Sequence, residues 1–240
     1  MRDKKEQAKE ILKSSRRLCV LTGAGISAES GLATFRDSDG LWNNHPVEDV
    51  ATPEGFLRDP EGVWNFYLEL KEQADRAAPN PAHTALAAFG GKEGRKVTIL
   101  TQNVDGLHER AGGTEVITLH GSLYRARCAS CAKNELPLPL KVPPMPKCAC
   151  GGLVRPDIVW FGEPLDDIAM GLAAAAVGVC DAFMVVGTSA QVFPAASFAY
   201  IALRQKKPVI LVNKEATPLN EFTDLAFTGK AGTILPELLS

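Results

Sequence analysis

The sequence predicts an α/β fold, a parallel sheet flanked by helices, with a smaller inserted domain. Two observations predict it. Short apolar runs alternate with helical stretches, and each run stops at a polar or glycine-rich cluster. Two stretches break that rhythm, one rich in Trp, Phe and Pro and the other carrying four cysteines.

Glu6 to Ser15 reads as a helix leading into Arg16-Arg17. Leu18-Cys-Val-Leu21 is the first run, and it stops at Thr22-Gly23. A short apolar run bounded in this way reads as a buried parallel strand. Val97-Thr-Ile-Leu100 stops at Thr101-Gln-Asn-Val-Asp105, and Val116-Ile-Thr-Leu119 stops at His120. Phe183-Met-Val-Val186 stops at Gly187-Thr-Ser189, and Val209-Ile-Leu-Val212 stops at Asn213-Lys-Glu215. Helical stretches lie between them: Asn80 to Phe89, Asp167 to Val179 and Ala195 to Gln205. The polar cluster always follows the carboxyl end of its strand, the edge at which open parallel sheets bind ligands. The loops are therefore expected to face one crevice.

Residues 37–79 carry helical pieces (Pro53 to Arg58, Val63 to Ala77), and residues 125–153 carry the cysteines among several prolines. These two insertions are expected to form the small domain, part helical and part zinc-binding. Residues 1–36, 80–124 and 154–240 remain for the sheet domain.

The 240 residues are 45% hydrophobic and 22% charged with a formal net charge of -2, an ordinary globular balance that gives no bulk attraction to nucleic acid or anionic membrane. Met1 to Arg17 is charged and has no apolar core of signal length. The longest apolar stretch, Ala169 to Val179, is too short to span a bilayer and reads as a buried helix. A cytoplasmic, monomeric protein is expected. Cys19 and Cys180 sit in apolar contexts and read as inert buried thiols.

Four motifs carry chemistry. Thr22-Gly-Ala-Gly-Ile-Ser27-Ala28 places G-x-G-x-x-A directly after a strand. Its glycines let backbone N–H groups approach a pyrophosphate, although a tight turn without ligand fits as well. The acidic residue expected about 20 positions on is missing, which makes Asn213 and Glu215 the candidates for a ribose. Cys128-Ala-Ser-Cys131 and Cys148-Ala-Cys150 have the pairing of a tetrahedral zinc site, with two disulfides as the rival reading. Four thiolates leave no open coordination position, so the metal would be structural. Asn103, Asp105 and His120 at strand ends need water or ligand to satisfy them, and beside a nucleotide His120 is a plausible general base. His108 reads as a brace for its loop; His45 and His83 read as surface or capping residues. Val159-Trp-Phe-Gly-Glu163 reads as a strand that could pair with an extended peptide or simply pack in the core.

Together and in this order, these motifs resemble the sirtuin family from about Leu18 to Leu238. The matching stretches are Gly23 to Ser27, Phe35-Arg-Asp37, Thr101 to His108, His120-Gly121, the four cysteines, Val159 to Gly162, Gly187 to Ser189 and Val212-Asn213. The resemblance implies a Rossmann-like domain and an enzyme that uses NAD to remove acyl groups from protein lysines. It gives nicotinamide, free lysine and O-acyl-ADP-ribose. It implies NAD contacts at Gly23, Ala24, Gly25, Ser27, Phe35, Arg36, Gln102, Asn103, Asp105, Gly187, Thr188, Ser189, Asn213, Lys214, Glu215 and Ala231. Catalysis would fall to His120 and Asn103, and one structural Zn2+ to Cys128, Cys131, Cys148 and Cys150. The acyl-lysine and its peptide would meet Ala51, Tyr67, Leu70, Val159, Trp160, Phe161, Gly162 and Glu163.

Asp49 to Phe56 and Gly151 to Asp157 resemble the bacterial and mitochondrial branch that removes acidic acyl groups. That branch binds the distal carboxylate with Tyr-x-x-Arg on one helix face. Here Tyr67 is present and Leu70 stands where the arginine would be. An acidic acyl group would lose a charge-assisted pair, so neutral groups such as acetyl, crotonyl or butyryl are expected to be preferred. Lys71 points about 100° away around the helix. Desuccinylation despite Leu70 and ADP-ribosyl transfer to protein are the alternatives. A nucleotide sensor and a zinc-ribbon nucleic-acid binder fit less well.

Overall fold

The computed structural model describes residues 3–33, 41–92, 94–131, 133–134, 136–223 and 225–240. The chain opens with α1 (Lys4–Ser14) and β1 (Arg17–Thr22), followed by a short ribbon of β2 (Leu41–Trp42) and β3 (His45–Pro46). Three helices come next: α2 (Val47–Val50), α3 (Pro53–Arg58) and α4 (Pro60–Arg76). Then come α5 (Pro81–Gly90), β4 (Lys96–Thr101), α6 (Leu107–Arg110) and β5 (Glu115–Thr118). An antiparallel pair follows, β6 (Gly121–Cys128) and β7 (Val154–Ile158). The chain ends with α7 (Asp167–Val179), β8 (Ala182–Val186), α8 (Ser197–Arg204), β9 (Val209–Asn213), β10 (Ala226–Thr228) and α9 (Ala231–Leu238).

Six parallel strands form the main sheet in the order β10-β9-β8-β1-β4-β5. The chain walks outward from β1 to β4 and β5, then returns to build β8, β9 and β10 on the other side. This is the doubly wound order, and its reversal point lies between β1 and β8, where a crevice opens at the carboxyl edge. Both faces of the sheet are covered, which is why the strand sequences are almost continuously apolar. Leu18, Val20, Met184 and Ile210 face α1, α5 and α9 through Leu12, Leu86 and Leu235. Leu21, Leu100, Phe183 and Leu211 face α7 and α8 through Val177 and Phe198.

A third core lies around α2 to α4, β6 and β7. Phe56, Trp64, Phe66, Tyr67 and Trp160 fill it, and Cys128 and Cys148 border it. Caps set the start of its longest helix: Asp59 accepts from the Gly62 N–H at 2.9 Å, and Pro60 needs no donor at the first position. That cap starts α4 three residues before the apolar pattern suggested.

Two expectations fail. Val159 to Glu163 is a turn beyond β7 rather than a strand, with Gly162 at φ 86°. Its amides are already engaged: Val159 N–H donates to the His120 carbonyl at 3.0 Å and Phe161 N–H to the Ala51 carbonyl at 2.9 Å. The apolar α7 is a surface helix rather than a buried one. Only Ala173 and Val177 are buried, while Leu172 and Val179 are more than half exposed at 55% and 57%. Among the described residues no helix is long and apolar enough to cross a membrane.

Candidate active site

The glycine turn follows β1 as two short 3-10 turns, Ala24–Ile26 and Ala28–Ser30. Gly23 N–H donates to the Val186 carbonyl at 3.1 Å and Gly25 N–H to the Gly187 carbonyl at 2.8 Å. The turn after β1 therefore lies backbone to backbone on the loop after β8. Asn80, the cap of α5, pins its far side by donating to the Ile26 carbonyl at 2.7 Å and the Ser30 hydroxyl at 3.0 Å. Glu29 accepts from the Gly232 N–H at 2.8 Å, which brings the buried Ala231 at the start of α9 against the same turn.

The segment after β4 folds onto this turn. Asn103 Nδ2 donates to the Gly23 carbonyl at 3.2 Å and to Ser27 Oγ at 3.1 Å. Ser27 Oγ donates onward to Asp105 Oδ2 at 2.7 Å, and Asp105 Oδ1 accepts from Leu107 N–H at 2.9 Å. Asn103, Ser27 and Asp105 are all buried. Burial pushes the Asp105 carboxyl above its ordinary value, against the opposing pull of the Leu107 and Ser27 hydrogen bonds. Gln102 Nε2 donates to Thr188 Oγ1 at 3.1 Å and so ties this segment to the Gly187–Ser189 loop.

His120 follows β5. Its Nδ1 lies 3.2 Å from the Gln102 carbonyl oxygen. A carbonyl only accepts, so Nδ1 carries the proton and Nε2 keeps its lone pair for a substrate. Burial lowers the His120 pKa, opposed by the Gln102 bond, so the ring is the neutral base at neutral pH. The imidazole sits two hydrogen bonds from the glycine turn, since the Gln102 N–H donates to the Thr22 carbonyl at 2.9 Å.

Beneath the site, two other histidines stack with centroids 4.8 Å apart. His108 Nε2 meets Thr22 Oγ1 at 3.0 Å, and His83 Nδ1 accepts from Asn80 N–H at 3.3 Å. His83 does serve in the α5 cap, but it is buried rather than on the surface. Among the described residues His83 Nε2 and His108 Nδ1 are buried without a partner. Burial pushes His83 down to about 4 and His108 to about 3. His45 is exposed, with its ring edge-on to Phe66.

The 159–163 turn is held by an ion pair that the sequence did not announce. Arg155, buried on β7, donates to Glu163 at 2.6 and 2.9 Å. Burial alone would raise the Glu163 carboxyl; Arg155 outweighs it and holds the group below its ordinary value. The Arg155 guanidinium also lies 3.2 Å from the Trp160 ring centroid. Trp160 Nε1–H donates to the Tyr67 hydroxyl at 2.8 Å. Leu70, one turn along α4, packs partly buried against the same core. Phe161 is 51% exposed. Lys71 does not take the place of an arginine at residue 70: its Nζ pairs with Asp75 at 2.7 Å and lies 5.1 Å from the Tyr124 ring centroid.

Asn213 ends β9 with its Nδ2 bonded to the Glu215 carbonyl at 3.0 Å, and Lys214 and Glu215 are exposed at the same sheet edge. Ser189 is buried in the loop after β8. Phe35 and Arg36 lie outside the described residues. The sequence did not reveal the roles of Asn80 and Arg155, nor the burial of His83. Proline after Asn80 was a legible cap signal, but a pair joined across the fold, such as Arg155 and Glu163, leaves no spacing to read.

The four cysteine sulfurs all lie within 4.8 Å of one another. Cys128 and Cys150 are 3.5 Å apart, and Cys131 and Cys148 are 3.8 Å apart. A tetrahedral ion with sulfur bonds of about 2.3 Å separates its ligands by about 3.8 Å. The N–H groups of Cys131 and Ser130 hold the Cys128 thiol down to about 6, which favours the thiolate a zinc ion needs. All six cysteines are free, which removes the disulfide reading.

A sequence model of the Sir2 family matches residues 23–194. A curated relative from Archaeoglobus fulgidus, "NAD-dependent protein deacylase 1", is 45% identical over 98% of this chain and 96% of its own. A solved Sir2 homolog in complex with NAD superposes with a TM-score of 0.89 at 45% identity, covering 98% of this chain and 92% of that one. A Sir2 structure with a p53 peptide and NAD+ gives a TM-score of 0.85 at 31% identity, covering 98% of this chain and 96% of that one.

Two predictions follow from this geometry. The purified chain should carry close to one zinc per molecule by atomic emission, and Cys148→Ser should lose it and melt about 10 °C or more lower. A Cys148→Ser protein that keeps its zinc would sink the site. The second concerns acid stability. His83 and His108 bind protons far less readily folded than at the ordinary 6.5. Between pH 6.5 and about 4 the unfolded chain therefore binds more protons, and stability falls as pH falls, by up to about 1.4 kcal/mol per pH unit for each ring. Urea unfolding at pH 7 and pH 5 measures this, and His108→Gln should remove about half of the dependence. An unchanged slope would mean the rings are already protonated in the folded state.

Proposed function

The chain belongs to the Sir2 family, and from that premise we propose that it is an NAD-dependent deacylase of protein lysines that favours neutral acyl groups. The observation that carries the activity is the buried Gly23–Ser27–Asn103–Asp105 hydrogen-bond chain, with His120 two bonds away at the same sheet edge. Bound NAD would supply an activated ribose carbon and a nicotinamide leaving group.

The residues present fit that co-substrate. The turn at Gly23 to Ser27 lies at the sheet's reversal point; its Gly23, Gly25, Ile26 and Ser27 N–H groups bond within the protein, which leaves the Ala24 N–H for a pyrophosphate. Asp105, buried and held at two points, suits a neutral carboxamide, since it can accept from an amide N–H. Asn103 and Gln102 face the adjoining ribose. Ala231, Asn213, Lys214 and Glu215 suit the adenosine end, with Thr188 and Ser189 between. His120 Nε2 is the free lone pair that can take a ribose hydroxyl proton. On the peptide side, Ala51, Val159, Trp160, Phe161, Gly162 and Glu163 form the wall, and the exposed Phe161 ring is the apolar contact for the lysine stem.

The acyl preference rests on the charges near α4. Leu70 offers none, Lys71 is engaged by Asp75 and Tyr124, and Arg155 is bound to Glu163. A carboxylate entering beside Tyr67 would lose its hydration without gaining an ion pair. With net charge -2, protein rather than nucleic acid is the partner.

Nicotinamide release from NAD tests the reading with acetyl, crotonyl, butyryl and succinyl peptides of one sequence. Neutral peptides should exceed succinyl in kcat/KM by about tenfold or more, the worth of a charged hydrogen bond. Leu70→Arg should close or invert that gap, and His120→Ala should cut deacylation by about 100-fold or more. A clear succinyl preference in the parent chain would overturn the acyl assignment. Peptide-independent transfer of ADP-ribose to protein would move the chain to the transferase class.

A further inference from the structure

The last turn of a helix leaves backbone carbonyls without intrahelical partners. At the end of α4 those carbonyls are met by a side chain from another part of the fold. Arg110 Nη2 donates to the Ala74 carbonyl at 2.9 Å and the Ala77 carbonyl at 2.7 Å, and Nη1 reaches the Asp75 carbonyl at 3.4 Å. A guanidinium there also meets the negative end of the helix dipole.

A second contact runs beside it. The Tyr124 hydroxyl donates to Asp75 Oδ1 at 2.9 Å, and its ring abuts the backbone at Gly106, where an added Cβ would lie 2.9 Å away. Gly106 also has φ 69°, so the position suits glycine on both counts. The end of α4 thus meets the Gly106–Arg110 segment directly through Arg110 and indirectly through Tyr124 of β6.

That segment is a single helical turn with a function at each end. Asp105 caps its start through Leu107 N–H, and Arg110 ends it, with Arg110 N–H bonded to the Gly106 carbonyl at 3.1 Å. Asp105 faces the glycine turn. Arg110 faces the helix that carries Tyr67 and Leu70.

We propose that Arg110 is a positioning residue that latches the acyl-pocket helix to the Asp105 turn, so that acyl-lysine binding and nicotinamide departure are coupled. The proposal rests on the deacylase reading of the site. A lysine at 110 would keep the charge at the helix end but not the fork that reaches three carbonyls.

Two measurements test it on the full chain. The first is the acceleration of nicotinamide release by saturating acetyl-peptide over release without peptide. Arg110→Met should lower that ratio about tenfold and raise the peptide KM, Arg110→Lys should recover part of it, and ADP-ribose affinity should stay within about twofold. A ratio equal to that of the parent, or a loss of ADP-ribose binding in proportion, overturns the latch. The second is hydrogen exchange with and without NAD, which needs no turnover. In the parent chain NAD should slow exchange at residues 107–111 and at 73–77 together; in Arg110→Met it should slow the first segment alone. Equal protection of both segments in Arg110→Met overturns the latch. A parent chain that binds NAD but does not respond to acyl-peptide overturns the functional reading, and the exchange result still decides the latch.

Discussion

The contact on which the site depends is between two backbones. Where β1 and β8 end side by side, Gly25 and Gly187 lie so close that side chains have no room. A Cβ on Gly25 would sit 2.8 Å from the Gly187 Cα, and one on Gly187 would sit 2.2 Å from the Ile26 nitrogen. Gly187 also has φ 61°. A sheet whose strand order reverses between these two strands must splay its loops there. The glycines let the loops touch again just above the sheet, and the hydrogen bond from Gly25 closes them. The turn is thereby held in place by its own amide bonds, with no room for a side chain between the two loops.

Everything polar above that contact is arranged in one direction. Asn103 donates to Ser27 and Ser27 donates to Asp105, which as a carboxylate only accepts. Gln102 turns its side chain to Thr188 and its carbonyl to His120. Ser27, Asn103 and Asp105 are buried, so a reversed Ser27 hydroxyl would leave a donor unpaired in a region of low dielectric. The Gln102 carbonyl, which only accepts, decides the tautomer of the imidazole, and the tautomer decides which nitrogen is free. A site of this kind holds its base ready before substrate arrives.

The sheet was legible because its cause is local. Runs such as Leu18 to Leu21 are apolar at every position only because both faces are covered, and their polar terminators mark the ligand edge. The cysteines were legible for the same reason, since the spacing of Cys128 and Cys131 survives any fold. What could not be read depends on joins made across the chain. Val159 to Glu163 has the composition of a strand and becomes a turn because Arg155 holds Glu163 from behind and draws Trp160 N–H to the same carboxylate at 2.9 Å. Ala169 to Val179 looks buried by hydropathy alone, but only Ala173 and Val177, with Met170 and Ala176 beside them, turn inward, so Leu172 and Val179 are left outside. Arg110 carries no signal in the sequence, since its partners are carbonyls more than thirty residues earlier.

The small core holds its shape through contacts that do not involve residue 70. A buried ion pair such as Arg155 with Glu163 adds little net stability, because both charges give up water. Its consequence is geometric. Arg155 covers one face of Trp160, which fixes the indole so that its N–H points at the Tyr67 oxygen. Burial pushes the Tyr67 hydroxyl well above its ordinary range, so it keeps its proton. With one lone pair taken by Trp160, Tyr67 presents that proton as a donor. Leu70 removes the cation once expected beside it but leaves this donor untouched. A neutral carbonyl oxygen is satisfied by a single neutral donor, whereas a carboxylate is not. Under the proposed preference for uncharged acyl groups, what Trp160 leaves available on Tyr67 would count as much as the absence of an arginine at residue 70.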